Sequence, residues 1–433
     1  MKVLGTLLLI ILTSLFYFPF NSSLLPSANT KMILALFGLF IFGFQATQNR
    51  NATLDNTFTI VSAWALLVSF AGLVSVLINE TNDYTYATYI VSAWVWLGGA
   101  YTVVKCIKWC YGSTSLRILT NLLIAVCVIQ CILSQIIASN AVVASWVDSF
   151  MVSTGFMGKN ESRLYGIGCA LDVAGLKFCA VLILLSFFSI RPSGKINKYL
   201  EISLYLLAFV VISILGSMIS RTTSIGIGCA ILYWIYSAIC QNKTDNPVSL
   251  KPFAISILAS AIILIPLLTY LYKTDETFYR NLRFGFEGFF SLYETGEWQV
   301  HSNEMMMSQW RWPTTIKGWM IGDGYFNKPT DFYYIGPDYG DFYMGTDIGY
   351  CRFVFYFGII GLATFSLFFF NCARICIKHM PSCKIIFLLL LLMNFAGWSK
   401  VSSDLFPIFA LILLLNSSSK IVETIEKKHG QTC

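Results

Sequence analysis

The chain has 433 residues, of which 56% are hydrophobic and only 12% charged, and its formal net charge is +7. Soluble domains carry about a quarter charged residues, so this composition excludes an ordinary soluble fold and points to a polytopic membrane protein. The positive balance is read loop by loop as a topology signal, not as a nucleic-acid footprint, and no nucleic-acid partner is expected.

A span needs about 20 apolar residues. Hydropathy marks such stretches at 3–20, 31–46, 58–78, 87–104, 118–139, 166–190, 200–219, 222–240, 252–272, 346–370, 385–398 and 404–416. The expected fold is therefore all-α, a polytopic membrane helix bundle of about twelve spans. The first stretch resembles a signal-peptide core, but no convincing small-residue cleavage site precedes Pro19-Phe20, so it reads as the first span. Three segments follow: 1–272 with spans one to nine, 273–345 as one large hydrophilic loop, and 346–433 with spans ten to twelve and a short tail. With both termini in the cytosol, the short inner segments hold sixteen Lys and Arg and the short outer loops only Lys31, Lys159, Arg163, Arg221 and Lys400. The positive-inside rule then puts the large loop outside the cytosol. The sequons at Asn51, Asn242 and Asn416 fall on the inner side, where they read as accidents of an Asn-rich chain. None of the thirteen cysteines lies in the loop. Cys106/Cys110 and Cys372/Cys376 have helical spacing without nearby His or carboxylate partners, and idle thiols are the default reading over a metal site.

Residues 273–345 contain 19 aromatics, which a disordered spacer would not. Phe278, Leu282, Phe286, Phe289 and Tyr293 recur at helical spacing opposite Arg280, Arg283, Glu287 and Glu294. That pattern suits one helix lying on the membrane surface. Ser302 is placed to cap a second helix running to Trp312, ended by Pro313. From Asn327 to Gly345 the composition reads as irregular structure.

Few charges enter the apolar stretches. Arg221, in Ser220-Arg221-Thr222-Thr223-Ser224, sits at the outer interface between two spans. It suits either a snorkelling anchor or, as a five-donor fork beside hydroxyls and a helix N-terminus, a diphosphate ligand. Arg163 faces the same side. Asp172 and Lys177 lie about 9 and 16 Å into the sixth span. Five residues apart, they cannot pair with each other and need partners elsewhere. Arg352 makes the same demand near Asp347. An internal polar cavity or structural ion pairs would each explain them. His301 is the one outer-side histidine, with Glu304 three residues on, and general-base chemistry competes with a plain surface role. Trp310, Trp312, Asp323, Tyr333 and Tyr334, with Asp331, Asp338, Asp341, Tyr339 and Tyr343, interleave ring faces with carboxylates. Such a set grips sugars or forms an interfacial aromatic belt.

Four stretches together resemble the bacterial O-antigen polymerase/ligase superfamily of integral membrane glycosyltransferases. They are Arg163-Leu164-Tyr165-Gly166 ahead of Asp172; Ser220-Arg221-Thr222-Thr223-Ser224; Trp310-Arg311-Trp312 with Ile316-Lys317-Gly318-Trp319 and Gly322-Asp323-Gly324; and Gly345-Thr346-Asp347-Ile348-Gly349-Tyr350 running on through Arg352-Phe353 to Phe357-Gly358-Ile359-Ile360-Gly361. They cover roughly residues 160–370. The resemblance implies a multi-pass protein of the bacterial inner membrane acting on polyprenyl-diphosphate-linked oligosaccharides at its outer face, among membrane lipids, with a flippase and a chain-length regulator as partners. It implies no metal and no cofactor, so arginines must stabilise the departing diphosphate: Arg163 and Arg221 first, then Arg352, with Arg311 in an Arg-x10-Gly spacing to Gly322 associated with polymerases. Ligases of this superfamily tend to carry a His late in the long loop. Here Met344-Gly345-Thr346-Asp347 has none, which favours a polymerase and leaves the base open among His301, Glu304 and Asp347. The rival readings are an O-antigen ligase, or a flippase or other transporter.

Overall fold

The structure, a computed structural model, describes residues 2–48, 56–152, 163–194, 196–240, 250–329, 334, 336–337 and 339–415. Tyr333, Asp331, Asp338 and the sequons at Asn51, Asn242 and Asn416 lie outside the described residues. In chain order come α1 (Lys2–Tyr17), a small antiparallel hairpin of β1 (Asn21–Ser22) and β2 (Leu25–Asn29), α2 (Thr30–Gln48), α3 (Asn56–Asn79), α4 (Tyr89–Tyr111), α5 (Leu116–Ser139), α6 (Ala141–Phe150), α7 (Leu171–Ser189), α8 (Lys198–Ile219) and α9 (Thr223–Ile239). There follow α10 (Leu250–Thr274), α11 (Glu276–Gly285), α12 (Glu287–Thr295), α13 (His301–Ser308), α14 (Ile316–Met320), α15 (Gly349–His379), α16 (Lys384–Trp398) and α17 (Phe406–Leu415).

Each of the twelve hydropathy intervals contains a helix. Among the described residues, nine helices are long and apolar enough to cross a membrane: α2, α3, α4, α5, α7, α8, α10, α15 and α16. The apolar helices α1, α9 and α17 are shorter. This is a helical, multi-pass membrane protein. The chain divides into two compact units, one built from Met1–Thr30 and Trp109–Gln299, the other from Lys31–Lys108 and Val300–Cys433.

In the first unit α7 is the central post, buried along Ala174–Ser189 and packed against α5, α8 and α9. A helix that is apolar on every side belongs inside a bundle. α10 is equally apolar, yet only 6% of its span is buried, so the hydrocarbon of the bilayer is what its side chains meet. The two ends of α8 mark the two ends of this unit. At its start Glu201 takes Arg117 at 3.0 Å and two hydrogen bonds from Ser193; at its finish lies Arg221. The 22 residues between them rise ~33 Å, about the thickness of a bilayer core.

In the second unit α15 packs against α3, α14, α16 and α17. Its helix is broken at Phe357 and Gly358, where Gly358 takes φ 66°, ψ −171°, a conformation open almost only to glycine. The break frees carbonyls that the Gly322-Asp323-Gly324 turn then satisfies: the Asp323 and Gly324 amides donate to the oxygens of Phe355 (2.6 Å) and Tyr356 (3.2 Å). The turn is held in its own right, because Asn79 and Thr81 at the end of α3 donate to the Gly322 and Gly324 oxygens.

Three local expectations are corrected. The amphipathic stretch 278–293 is not one helix but two, α11 and α12, broken at Phe286 (φ −120°, ψ 29°). The helix after Val300 is neither capped by Ser302 nor extended to Trp312. Val300 stands at its N-cap, and it stops at Ser308 because Trp310 packs into the cluster of Ile348, Cys351 and Phe355. The sixth span begins at Leu171, not at 166. Residues 166–170 form a tight turn with a Gly166–Cys169 bridge and a left-handed Gly168, so Asp172 lies in the first helical turn and not ~9 Å deep. Between 327 and 345 the described residues are irregular apart from an Asn327–Phe342 bridge and a short 3-10 turn, as expected.

Candidate functional site

Arg221 owes its position to Asp172. From the first turn of α7 the Asp172 carboxylate accepts hydrogen bonds from Ser220 Oγ (2.8 Å) and Thr222 Oγ1 (2.6 Å), so it grips the turn on both sides of the arginine. Gly175 makes room for this, since a Cβ there would lie 2.5 Å from Ser220 Oγ. The guanidinium is thereby turned toward α11. Its Nε donates to the Phe284 carbonyl at 2.9 Å, its plane lies 4.1 Å over the Phe284 ring, and Nη2 approaches Glu287 Oε2 at 2.6 Å. Burial pushes the Arg221 pKa down, Glu287 and Asp172 oppose that shift, and Arg163 adds to it.

Arg163 reaches the same ring. Leu164 N–H donates to the Met218 carbonyl at the end of α8, and this ties the 163–170 segment beside the Arg221 turn. The Arg163 guanidinium lies 4.9 Å from the Phe284 centroid. Two cations from separate parts of the sequence thus meet one aromatic ring, a cation–π arrangement that draws both toward it despite their repulsion. α11 is seated there by Gly285, whose Cα lies against the Ser217–Met218 backbone. The cleft beside Arg221, about 380 Å³, is also lined by Arg283, Glu287, Phe290 and Glu294. Lys177, buried in α7, stands 5.3 Å from the Phe18 ring and 5.9 Å from that of Tyr17. As its spacing demands, its surroundings differ from those of Asp172.

The remaining candidates belong to the second unit. Arg352 is 6% exposed and its fork is filled by protein: Nη1 donates to Ser402 Oγ, and Nη2 to the Phe326 carbonyl and Asn327 Oδ1. Its plane lies 3.6 Å over Phe326, and Asp347 stands 3.9 Å away. These contacts join the 326–327 strand-like segment to the stretch ahead of α17. Arg311 Nη1 donates to the Met344 carbonyl at 2.6 Å. Trp312 stacks on Trp319 at 5.4 Å and meets Trp310 at 5.6 Å, while staying 40% exposed, so the three rings form a platform with an open side. Asp323 is half-buried and takes a long hydrogen bond from Tyr343 Oη (3.4 Å). Burial raises its pKa above the ordinary carboxylate value, against the smaller effects of Tyr343 and Lys317. Tyr334 Oη accepts from the Met344 amide at 2.8 Å. His301 and Glu304 are exposed on α13, and the Asp347 amide donates to Gln309 Oε1 just beyond that helix. The structure therefore gathers Arg163 and Arg221 in one unit, and Arg311, Arg352, Asp347, Trp310, Trp312, Asp323 and Tyr334 in the other.

Two residues with organising roles were not singled out from the sequence. Phe284 is one of 19 aromatics in its segment and carries no individual signal. Asp83 accepts from the Phe326 and Asn327 amides (2.8 and 3.0 Å) and from Thr85, and so fixes the segment that Arg352 grips. Its place in a short polar loop, Asn82-Asp83, is the only hint in the sequence. Among the described residues no group of His, Cys, Asp and Glu has the arrangement of a metal site. Comparison with protein-family models, with curated proteins and with solved structures finds no match to this chain.

Proposed function

We propose that this protein is a membrane glycosyltransferase that joins undecaprenyl-diphosphate-linked oligosaccharide repeat units into O-antigen or a capsule-like polysaccharide. In this reading it spans the bacterial inner membrane twelve times, with both termini cytosolic and residues 273–345 in the periplasm. The observation that carries the proposal is the meeting of Arg163 and Arg221 on the Phe284 ring. It concentrates two cations at the end of the bundle opposite the Arg117–Glu201 pair, where a lipid diphosphate would lie. In the reaction, an acceptor sugar hydroxyl attacks the anomeric carbon of the donor chain. The carbon–oxygen bond to the diphosphate breaks, its electron pair stays on the phosphate oxygen, and the arginines stabilise that charge. The hydroxyl proton goes to a base drawn from His301, Glu304 and Asp347. Trp310, Trp312 and Trp319 offer ring faces to the sugars.

Arg221→Ala is expected to cut polymerisation roughly 10²–10³-fold, the usual cost of removing one donor to a developing anion. On silver-stained gels of the cell's polysaccharide, long chains would vanish and single-repeat product remain, while protein abundance is unchanged. Arg221→Lys keeps the charge but loses the fork, and falls between the two. Full-length polysaccharide in Arg221→Ala cells would defeat the assignment. Bare lipid A–core beside lipid-bound polymer in a deletion strain would point to a ligase instead.

A further inference from the structure

Both arginines of the cleft face a carboxylate of α12, but not in the same way. Arg283 and Glu294 meet fork to fork, with both N–O distances 2.6 Å. Arg221 Nη2 approaches Glu287 Oε2 at 2.6 Å, and that oxygen, though shielded from solvent, lacks hydrogen-bond alignment. Arg221 Nε donates to the Phe284 carbonyl, which leaves the Nη atoms to face the cleft. Meanwhile α11 is pinned by Gly285 on the Ser217–Met218 backbone. Glu287, by contrast, is one-third exposed and lines the open cleft, so its side chain has space beside it to leave Arg221.

We infer that Glu287 is a built-in competitor at Arg221: its carboxylate holds the position of one phosphate oxygen of a diphosphate, and the diphosphate must displace it to bind. This deepens the reading above and rests on its assignment of Arg221 to a diphosphate. The physical consequence is twofold. Monovalent carboxylate-like anions gain little by replacing Glu287, whereas a diphosphate, with more charge and more acceptors, still gains. Return of Glu287 to Arg221 also speeds departure of the spent lipid diphosphate.

The test measures equilibrium binding of inorganic pyrophosphate and of farnesyl diphosphate to the full chain in non-ionic micelles. A partly exposed ion pair is weak, so Glu287→Gln should bind both probes roughly two- to five-fold more tightly than the unaltered protein. Arg221→Ala should lose that binding. Farnesyl diphosphate binding more tightly than pyrophosphate marks a lipid headgroup as the natural ligand, and equal binding marks a free diphosphate. Were Glu287 only a support for Arg221, its loss would weaken binding. Weaker, unchanged or undetectable binding by Glu287→Gln therefore overturns the inference. Equal tightening by Glu276→Gln, which removes the same charge from the first turn of α11, overturns it too. Tightening in Glu287→Gln together with normal polysaccharide in Arg221→Ala cells would sink the polymerase reading alone.

Discussion

Single charged residues set the register of both units. Asp172 illustrates what the sequence could and could not reveal: an acid inside an apolar stretch had to find donors outside its own helix, but nothing in the text said that these would be the two hydroxyls flanking Arg221. Hydropathy places it too deep because the turn at 166–170 depends on a left-handed Gly168 seated against Phe18, a tertiary contact that apolar runs do not encode. Asp323 permits a measurement at the same scale. Burial raises its carboxyl above the ordinary value, so the folded protein holds this proton more tightly than the unfolded chain does. Below the ordinary aspartate value of about 3.9 both states are protonated and no penalty exists. As pH climbs from the ordinary value through the raised folded one the penalty grows, and above the folded value it is complete. Asp323→Asn, whose amide oxygen can still accept from Tyr343, should unfold at a higher temperature than the unaltered protein near neutral pH. That difference should shrink as both are taken toward about pH 4. A variant that is less stable at neutral pH, with the same pH slope, would show that the ionised carboxylate is needed there.

At the scale of elements, periodicity found helices reliably and failed at their ends. The repeat through Phe278, Leu282, Phe286, Phe289 and Tyr293 describes α11 and α12 separately but not the break between them. That break follows from packing: Gly285 has to lie against α8, and the chain leaves helical geometry at the next residue. A Cβ at position 285 would stand 2.9 Å from the Ser217 carbonyl carbon and 3.1 Å from the Met218 nitrogen, backbone atoms that cannot step aside. Gly285→Ala should therefore cost about 1–3 kcal/mol, the usual range for overpacking. It should also lift Phe284 from the two guanidiniums, lowering both the unfolding midpoint and polysaccharide yield. Gly228→Ala in α9 is the matched comparison, because its Cβ would meet nothing within 4 Å and helical propensity alone would make it neutral or slightly stabilising. Equal behaviour of the two variants would remove Gly285 from its role as the seat of α11. The broken α15 obeys the same logic. The sequence shows Phe357-Gly358, but only the approach of the Met320 backbone explains why a glycine must be there.

For the whole molecule, hydropathy counted helices without saying which of them are neighbours. Each compact unit draws on early and late segments of the chain, so residues 273–299 fold with the first unit and 300–345 with the second. A linear reading sees one hydrophilic segment there. The side of the membrane is a separate matter, governed by where Lys and Arg cluster. The first unit adds a structural reason to that rule. Arg117 and Arg191, assigned to the cytosol, are bound near the start of α8 by Glu201 and Tyr233, and the Arg221–Phe284 cluster lies at its other end. The helix is long enough to separate the two clusters by a bilayer core, so they must face opposite compartments if α8 crosses. Alkaline phosphatase inserted after Gly296, in the turn that ends α12, should then be active, because it folds only where its disulfides can form. Green fluorescent protein inserted after Gly112, in the turn between α4 and α5 on the Arg117 side, should fluoresce, since it matures in the cytosol. Both turns leave room, as a Cβ at either glycine would meet nothing within 4 Å. An inactive phosphatase at Gly296 beside a dark fluorescent protein at Gly112 would invert the topology, and the cationic pair would then face cytosolic anions instead of lipid-linked sugars outside.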